Sequence, residues 1–274
     1  MSAGHGMTQA LRAEGATLRE AVHAEWTKLR TVPSTGWLLL TLIALTVGAS
    51  ALATAVVKCP ASCGEDTTKL SLTGILLGQA AVAVLAVLVM SGEYSSGMIR
   101  TTLAAMPRRT AVLATKAVLV TGLTLAAGTF AVLGSLLAGR LILPGHGFTA
   151  AHGLAPLSLA DGPVLRAAAG SVLYLALIAL LGLGVASAVR DSAVAIGIVL
   201  GLLYLFPIVA AVVSDPYVQR HLQQVAPMTA GLEIQATTGL RSLPLSPWAG
   251  LGVLAAWAAG ALLIGGLLLR LRDA

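Results

Sequence analysis

Side chains able to carry chemistry are few in this 274-residue chain. It contains neither the phosphate-binding pattern G-x-x-x-x-G-K-[ST] nor the catalytic patterns H-E-x-x-H and G-x-S-x-G. Its two cysteines, Cys59 and Cys63, are too few for a metal site, but they could close a small disulfide loop in an oxidising compartment. By itself, the chain therefore offers no evident site for a nucleotide, another cofactor or a metal.

The composition excludes an ordinary soluble protein. Hydrophobic residues make up 57% of the chain and charged residues 10%, and the mean hydropathy is +0.90. Because a soluble domain carries roughly 25% charged residues, this chain could not cover its own surface in water. We expect a polytopic membrane protein.

Six stretches are long and apolar enough to cross a bilayer, which takes about 20 residues of helix. They are residues 37–57, 71–91, 111–139, 164–189, 192–213 and 248–269. The predicted fold is therefore all-α, with six transmembrane helices and both termini on one side of the membrane.

The distribution of basic residues indicates which side that is. Ten Lys and Arg lie on the side of the termini, in segments 1–36, 92–110, 190–191 and 270–274. Five lie on the other side, in loops 58–70, 140–163 and 214–247. The positive-inside rule then places both termini in the cytoplasm, and the composition suggests a bacterial plasma membrane. The net charge of +6 thus reflects topology and implies no nucleic-acid partner.

Charged groups are scarce inside the predicted spans. None of the spans contains Asp or Glu, which an ion-coupled pump needs at membrane depth, and Gln79 is their most polar mid-span side chain. Lys116 and Arg166 lie near span ends, where we expect them to reach lipid headgroups. Uphill transport by this chain would need energy from a partner.

The N-terminal segment 8–32 has the periodicity of an amphipathic helix, with Trp26 placed at headgroup depth. Glu25 and Lys28 are spaced i,i+3 and could pair, and Pro33 is expected to end the helix. The same pattern fits two roles. The helix either lies on the membrane surface alone or also contacts a partner protein.

A second segment on the predicted cytoplasmic side, the loop 92–110, contains apolar residues that a solvated loop does not need. Residues 98–106 read as one short helix that Pro107 ends, with Met98, Leu103 and Met106 among its apolar side chains. This face either lies on lipid or fits a groove in another protein.

These two segments resemble known ones. The sequences EWTKLRT at 25–31 and SGEYSSGMIRTTLAAMPRR at 91–109, together with the six spans, are similar to the permease subunits of type-2 ABC exporters. The resemblance implies a cytoplasmic connecting helix in 1–36 and a transmembrane domain over 37–274, with a coupling helix at about 97–107. It also implies possible re-entrant helices in the outer loop 214–247. The residues expected to contact an ATPase are Trp26, Lys28, Arg30, Glu93, Met98, Ile99, Arg100, Leu103 and Met106.

The resemblance also implies partners and a function. The chain would be a transport subunit rather than an enzyme. Two copies of a separate ABC ATP-binding subunit would hydrolyse ATP with Mg, and a second permease copy, identical or homologous, would complete the path. The few polar groups in the spans suit an amphipathic or hydrophobic cargo, such as an antibiotic or a lipid-like metabolite. The alternatives are a membrane anchor or sensor subunit of an ABC-type complex, and a passive transporter outside the ABC class.

Small residues at four-residue spacing predict close helix packing. Gly74 with Gly78, and Gly197 with Gly201, fit the G-x-x-x-G pattern. The resemblance implies that the spans carrying these pairs line the pathway and lie near the dimer axis, together with Gln79. Tyr204 and Phe206 would either line that pathway or anchor span 5 at the membrane interface. On the oxidising outer side, we favour a disulfide between Cys59 and Cys63.

Overall fold

A computed structural model describes residues 23, 25–59, 64–95, 109–149 and 157–271. Within these ranges the chain is helical and contains no strand. Six helices are long and apolar enough to cross a membrane, and we number them span 1 to span 6. They are Pro33–Val56, Ile75–Ser95, Arg109–Ile142, Gly162–Val189, Ser192–Val212 and Pro247–Leu271. The all-α fold with six spans predicted from hydropathy is confirmed.

Spans 2 and 4 form the centre of the bundle. In their most apolar stretches 61% of the residues are buried, against 33% in span 3 and 22% in spans 1, 5 and 6. Large apolar side chains such as Leu52, Phe130 and Leu263 are exposed on the outer spans, where a bilayer would cover them. The four outer spans therefore present lipid-facing surfaces around a two-helix core.

Local sequence rules explain where several helices begin. Val32 is extended and Pro33 takes the first turn of span 1, a position that does not need a backbone N–H. Between spans 4 and 5, Arg190 has a left-handed backbone with φ of 66°, and the Asp191 carboxylate caps span 5 by accepting from the backbone N–H of Val194 at 2.8 Å. These two residues reverse the chain between two apolar helices.

The contacts between linking segments define two faces of the bundle. The N-terminal face holds residues 25–31, the end of span 2, the start of span 3 and the turn at 190–191. The opposite face holds the links between spans 1 and 2, spans 3 and 4, and spans 5 and 6. Which face is cytoplasmic stays a prediction from the basic residues.

The link between spans 5 and 6 folds back into the bundle. A surface helix, Pro216–Val225, has no buried residue, whereas the next helix, Pro227–Leu232, and the 3-10 turn Glu233–Gln235 are mostly buried. A side chain at Gly231 would overlap the ring of Tyr174, so the glycine lets this segment lie directly on span 4. The segment 227–235 is thus packed between spans instead of lying over them.

Candidate functional site at the N-terminal face

A buried ion pair joins the N-terminal segment to span 3. The ammonium Nζ of Lys116 lies 2.7 Å from Oε2 of Glu25, and the two side chains are 2% and 3% exposed. Lys116 also donates to the carbonyl of Val89 in span 2, at 3.3 Å. The other carboxylate oxygen of Glu25, Oε1, lies 2.9 Å from Nζ of Lys28. The predicted pairing of Glu25 with Lys28 is therefore confirmed.

The expectation that Lys116 reaches the lipid headgroups is wrong. Its side chain turns into the bundle, because a carboxylate and a backbone carbonyl there satisfy an ammonium that would otherwise be buried without compensation. The ion pair also acts on the carboxyl group. Burial alone would raise the pKa of Glu25, but the charges and hydrogen bonds of Lys116 and Lys28 outweigh burial and hold that pKa below its usual value.

The segment 25–31 has one side buried against the spans and one exposed side. Glu25 and Leu29, spaced i,i+4, are buried against the spans, whereas Trp26 and Arg30 are exposed. Trp26 is 42% exposed, which leaves much of its indole ring available for contact. Two of the residues predicted to contact an ATPase therefore project outward, while Lys28 is turned partly towards Glu25.

The ion pair joins this segment to spans 2 and 3, which precede and follow the predicted coupling helix in the sequence. Span 2 ends at Ser95 and span 3 begins at Arg109. Lys116 belongs to span 3, and its ammonium donates to the carbonyl of Val89 in span 2. Glu93 lies in the last turn of span 2. The remaining predicted contacts, Met98, Ile99, Arg100, Leu103 and Met106, lie outside the described residues.

Span 5 joins the same face. The hydroxyl of Ser192, at the start of span 5, donates to the hydroxyl of Ser91 in span 2 at 2.7 Å. The guanidinium of Arg190 lies 5.4 Å from the ring centre of Tyr94, a cation–π distance. The end of span 2 thus contacts the starts of spans 3 and 5.

A half-open cavity of about 310 Å³ lies between the N-terminal segment and spans 1 and 2. Glu25, Lys28 and Lys116 form its polar end. Leu29, Leu38, Leu85 and Leu88 are among its apolar lining residues. The contact between segment 25–31 and the bundle is therefore only partly filled by apolar packing.

Gln79 belongs to a buried polar cluster near the opposite face. Its side chain is 0% exposed, accepts a short hydrogen bond from the hydroxyl of Tyr174, and lies 3.1 Å from the sulfur of Met228. The hydroxyl of Tyr204 makes a short hydrogen bond to the carbonyl of Leu76, which also accepts from Gln79. The cluster joins spans 2, 4 and 5 to the segment 227–235.

Tyr204 is consequently held inward by span 2, while the neighbouring Phe206 is half-buried. Of the residues proposed for the pathway, the structure brings Gln79 and Tyr204 together around the carbonyl of Leu76.

The two G-x-x-x-G pairs have different surroundings. A side chain at Gly74 would overlap the carbonyl of Thr46 in span 1, and one at Gly78 would overlap the Thr46 hydroxyl. Around Gly197 and Gly201 in span 5, no described atom outside the glycine's own stretch of helix lies within 4 Å of the added carbon. The first pair packs span 2 against span 1 of the same chain, whereas the second pair faces open space.

Polar contacts on the opposite face link loops distant in sequence. Asp66 accepts hydrogen bonds from the backbone and hydroxyl of Thr237 and from the backbone of Thr238. Arg166, which is half-buried and was expected to reach lipid headgroups, donates to the carbonyl of Ala236.

Cys59 is disulfide-bonded and buried on this face. Its backbone N–H donates to the carbonyl of His146 at 2.9 Å, which ties the first link to the end of span 3. Cys63, the other cysteine of the chain, lies outside the described residues.

Glu233 is a second acidic residue on this face, after Asp66. Burial raises the pKa of Glu233, and Lys69, whose ammonium is 3.9 Å away, only partly opposes that effect.

Sequence reasoning did not single out Lys116, Tyr174 or Asp66 as structural contacts. For Lys116 a signal was present: it is a cation within the apolar stretch 111–139, and such a group needs a buried partner. Tyr174 and Asp66 gave no such signal, because a lone tyrosine in a span and a lone aspartate in a loop are ordinary residues.

No family model matches the chain, and a comparison with curated proteins found no match either. The described residues form a multi-pass membrane protein. Its six apolar helices are compatible with membrane transport.

Proposed function

We propose that this chain is the membrane-spanning permease subunit of an ATP-driven ABC exporter, powered by separate ATP-binding subunits. One observation carries the proposal. The buried pair of Glu25 with Lys116 holds the segment 25–31 against spans 2 and 3, about two helical turns from the span ends at Ser95 and Arg109. The segment that resembles the connecting helix thus packs on the two spans that precede and follow the predicted coupling helix in the sequence.

In this proposal the N-terminal face is cytoplasmic and binds the ATPase. Trp26 and Arg30 supply an apolar and a cationic contact from the exposed side of segment 25–31. Met98, Ile99, Arg100, Leu103 and Met106 supply the coupling helix, with Glu93 at its junction with span 2. ATP and Mg are held by the partner, of which the transporter has two copies.

A second permease copy, identical or homologous, completes the path in a bacterial plasma membrane. The open side of span 5 at Gly197 and Gly201 supports a second helix lying there, because small residues allow close approach in lipid. The spans contain few polar groups, and such a path suits an amphipathic or hydrophobic cargo.

The test is purification of the tagged chain from its native membrane in mild detergent, with ATPase activity assayed on the eluate. The wild type is compared with Met98→Glu/Leu103→Glu. We expect an ATPase to accompany the wild type and to be lost from the variant, because two carboxylates would be unpaired in an apolar groove. The matched control is Tyr217→Glu/Leu240→Glu, which places the same charges at exposed positions on the opposite face and is expected to retain the ATPase.

A well-folded wild type that carries no ATPase would remove the energy source and overturn the exporter proposal. Loss of the ATPase from the control as well would show that added charge, not the coupling helix, disrupts the complex.

A further inference from the structure

We propose that the Glu25–Lys116 ion pair positions residues 25–31 against spans 2 and 3, and that this positioning determines whether the ATPase subunit docks. The docking part of this inference rests on the proposed function. Glu25 and Lys116 act here as positioning residues, because neither side chain is exposed enough to meet a partner directly.

The first argument concerns what a buried ion pair contributes. Removing two charges from water costs free energy that their attraction repays only partly, so an apolar pair of similar volume would often hold two helices equally well. Removing one partner, by contrast, leaves a buried charge without compensation and is strongly unfavourable. The side chains of Lys116 and Glu25 are 2% and 3% exposed. Their ion pair therefore contributes more to fixing one arrangement of the N-terminal segment on span 3 than to the free energy of unfolding.

The second argument concerns the surroundings of the pair. A cavity of about 310 Å³ lies between the segment and spans 1 and 2, so leucine side chains such as Leu38 and Leu85 do not close the contact. Leu29 is the segment's buried apolar residue among 25–31. Because apolar packing is incomplete there, the position of the segment depends on the polar contact at Glu25.

The third argument concerns which elements the pair joins. Lys116 contacts Glu25 at 2.7 Å and the Val89 carbonyl at 3.3 Å, so one ammonium connects the N-terminal segment, span 2 and span 3. The last two are the helices that carry loop 96–108. A displacement of the segment relative to these two helices would change the surface that the N-terminal face presents to the ATPase.

The first measurement needs no partner. Hydrogen exchange of the full-length chain in lipid nanodiscs, followed by mass spectrometry, reports the protection of residues 25–31. We expect Glu25→Gln and Lys116→Met each to accelerate exchange there at least about tenfold, because Glu25→Gln removes the carboxylate that neutralises the buried Lys116 ammonium, and Lys116→Met leaves Glu25 with the partly exposed Lys28 as its ion-pair partner. Exchange in residues 216–232 on the opposite face is expected to stay unchanged, which separates a local effect from misfolding.

Three further variants sharpen the comparison. Lys28→Gln removes the other cation on Glu25, but Lys28 is 39% exposed, so little acceleration is expected. Lys116→Arg keeps the charge and is expected to retain protection. Glu25→Lys/Lys116→Glu restores a pair with reversed charges and is expected to recover protection in part, since a carboxylate at 116 cannot donate to the Val89 carbonyl.

The second measurement is the amount of ATPase that co-purifies with each variant. Glu25→Gln and Lys116→Met are expected to lose most of the co-purifying ATPase. Lys116→Arg and the charge swap are expected to retain more of it, in the same order as their protection of residues 25–31 from exchange. Unchanged exchange in the single variants would overturn the positioning role. Accelerated exchange with full retention of the ATPase would overturn the role in docking.

The two proposals fail in distinguishable ways. If the wild type itself carries no ATPase, the proposed function fails and the docking part of this inference fails with it. The exchange comparison then still decides whether the ion pair positions the segment.

Discussion

Asp66 and Thr237 join two links of the chain that lie 171 residues apart. The carboxylate of Asp66 accepts from the Thr237 hydroxyl at 2.7 Å and from the Thr237 backbone, and it also caps the short helix Thr67–Ser71. One carboxylate thus fixes the link between spans 1 and 2 against the segment that follows the buried turn Glu233–Gln235.

Asp66→Asn should destabilise the protein by about 1–3 kcal/mol at neutral pH, because it weakens several hydrogen bonds to a charged acceptor. Thermal unfolding in detergent measures this loss. The matched control is Asp161→Asn, since Asp161 precedes span 4 without making a side-chain cap and should change stability little.

The contribution of Asp66 should also depend on pH. Burial alone raises the pKa of this carboxyl, but the hydrogen bonds from Thr237, Lys69 and Thr238 outweigh it and lower the pKa from its usual value of 3.8. A lowered pKa in the folded state means that the stabilisation is fully present above the usual value and is lost as the pH falls through the folded-state value. The difference in stability between wild type and Asp66→Asn should therefore shrink below about pH 4. A difference that persists at lower pH would contradict this assignment.

Gly74→Ala should destabilise the chain by about 1–3 kcal/mol, because the methyl group would overlap the Thr46 carbonyl and push spans 1 and 2 apart. Gly201→Ala, the same change in span 5, should cost nothing, because no described atom outside its own stretch of helix lies within 4 Å of the added carbon. Thermal unfolding of both variants in the same detergent gives the comparison. Equal losses would mean that helix flexibility, not packing, sets the effect.

Gly197→Leu/Gly201→Leu should reduce pairing of two permeases, because large side chains would keep a second helix away from span 5. Native mass spectrometry of the purified complex reports the fraction that contains two permease chains, whether identical or homologous. Gly252→Leu/Gly260→Leu is the matched control in span 6, where both positions are also open. Undiminished pairing in the span 5 variant would place the second copy elsewhere.

Tyr174→Phe and Gln79→Leu should each cost about 1 kcal/mol, because each leaves a partner in the buried cluster without its hydrogen bond. The double variant should cost less than the sum, since it removes both polar groups together. A double-mutant cycle by chemical or thermal unfolding measures this coupling. Strict additivity would show that the two groups do not interact.

Hydropathy alone determined the number and order of the spans, because bilayer thickness imposes a length and an apolar composition that each helix must meet by itself. Local rules were equally direct where a few neighbouring residues decide the conformation. Pro33 separates span 1 from the helical segment before it, and Glu25 pairs with Lys28 three residues later.

Contacts between distant residues were decided only by the tertiary structure. Glu25 binds Lys116 across 91 residues, and neither side chain carries a local sign of its partner. The same G-x-x-x-G pattern lies in a packed contact at Gly74 and on an open face at Gly201. A spacing rule states which residues share one side of a helix, but the arrangement of the neighbouring helices determines what that side meets.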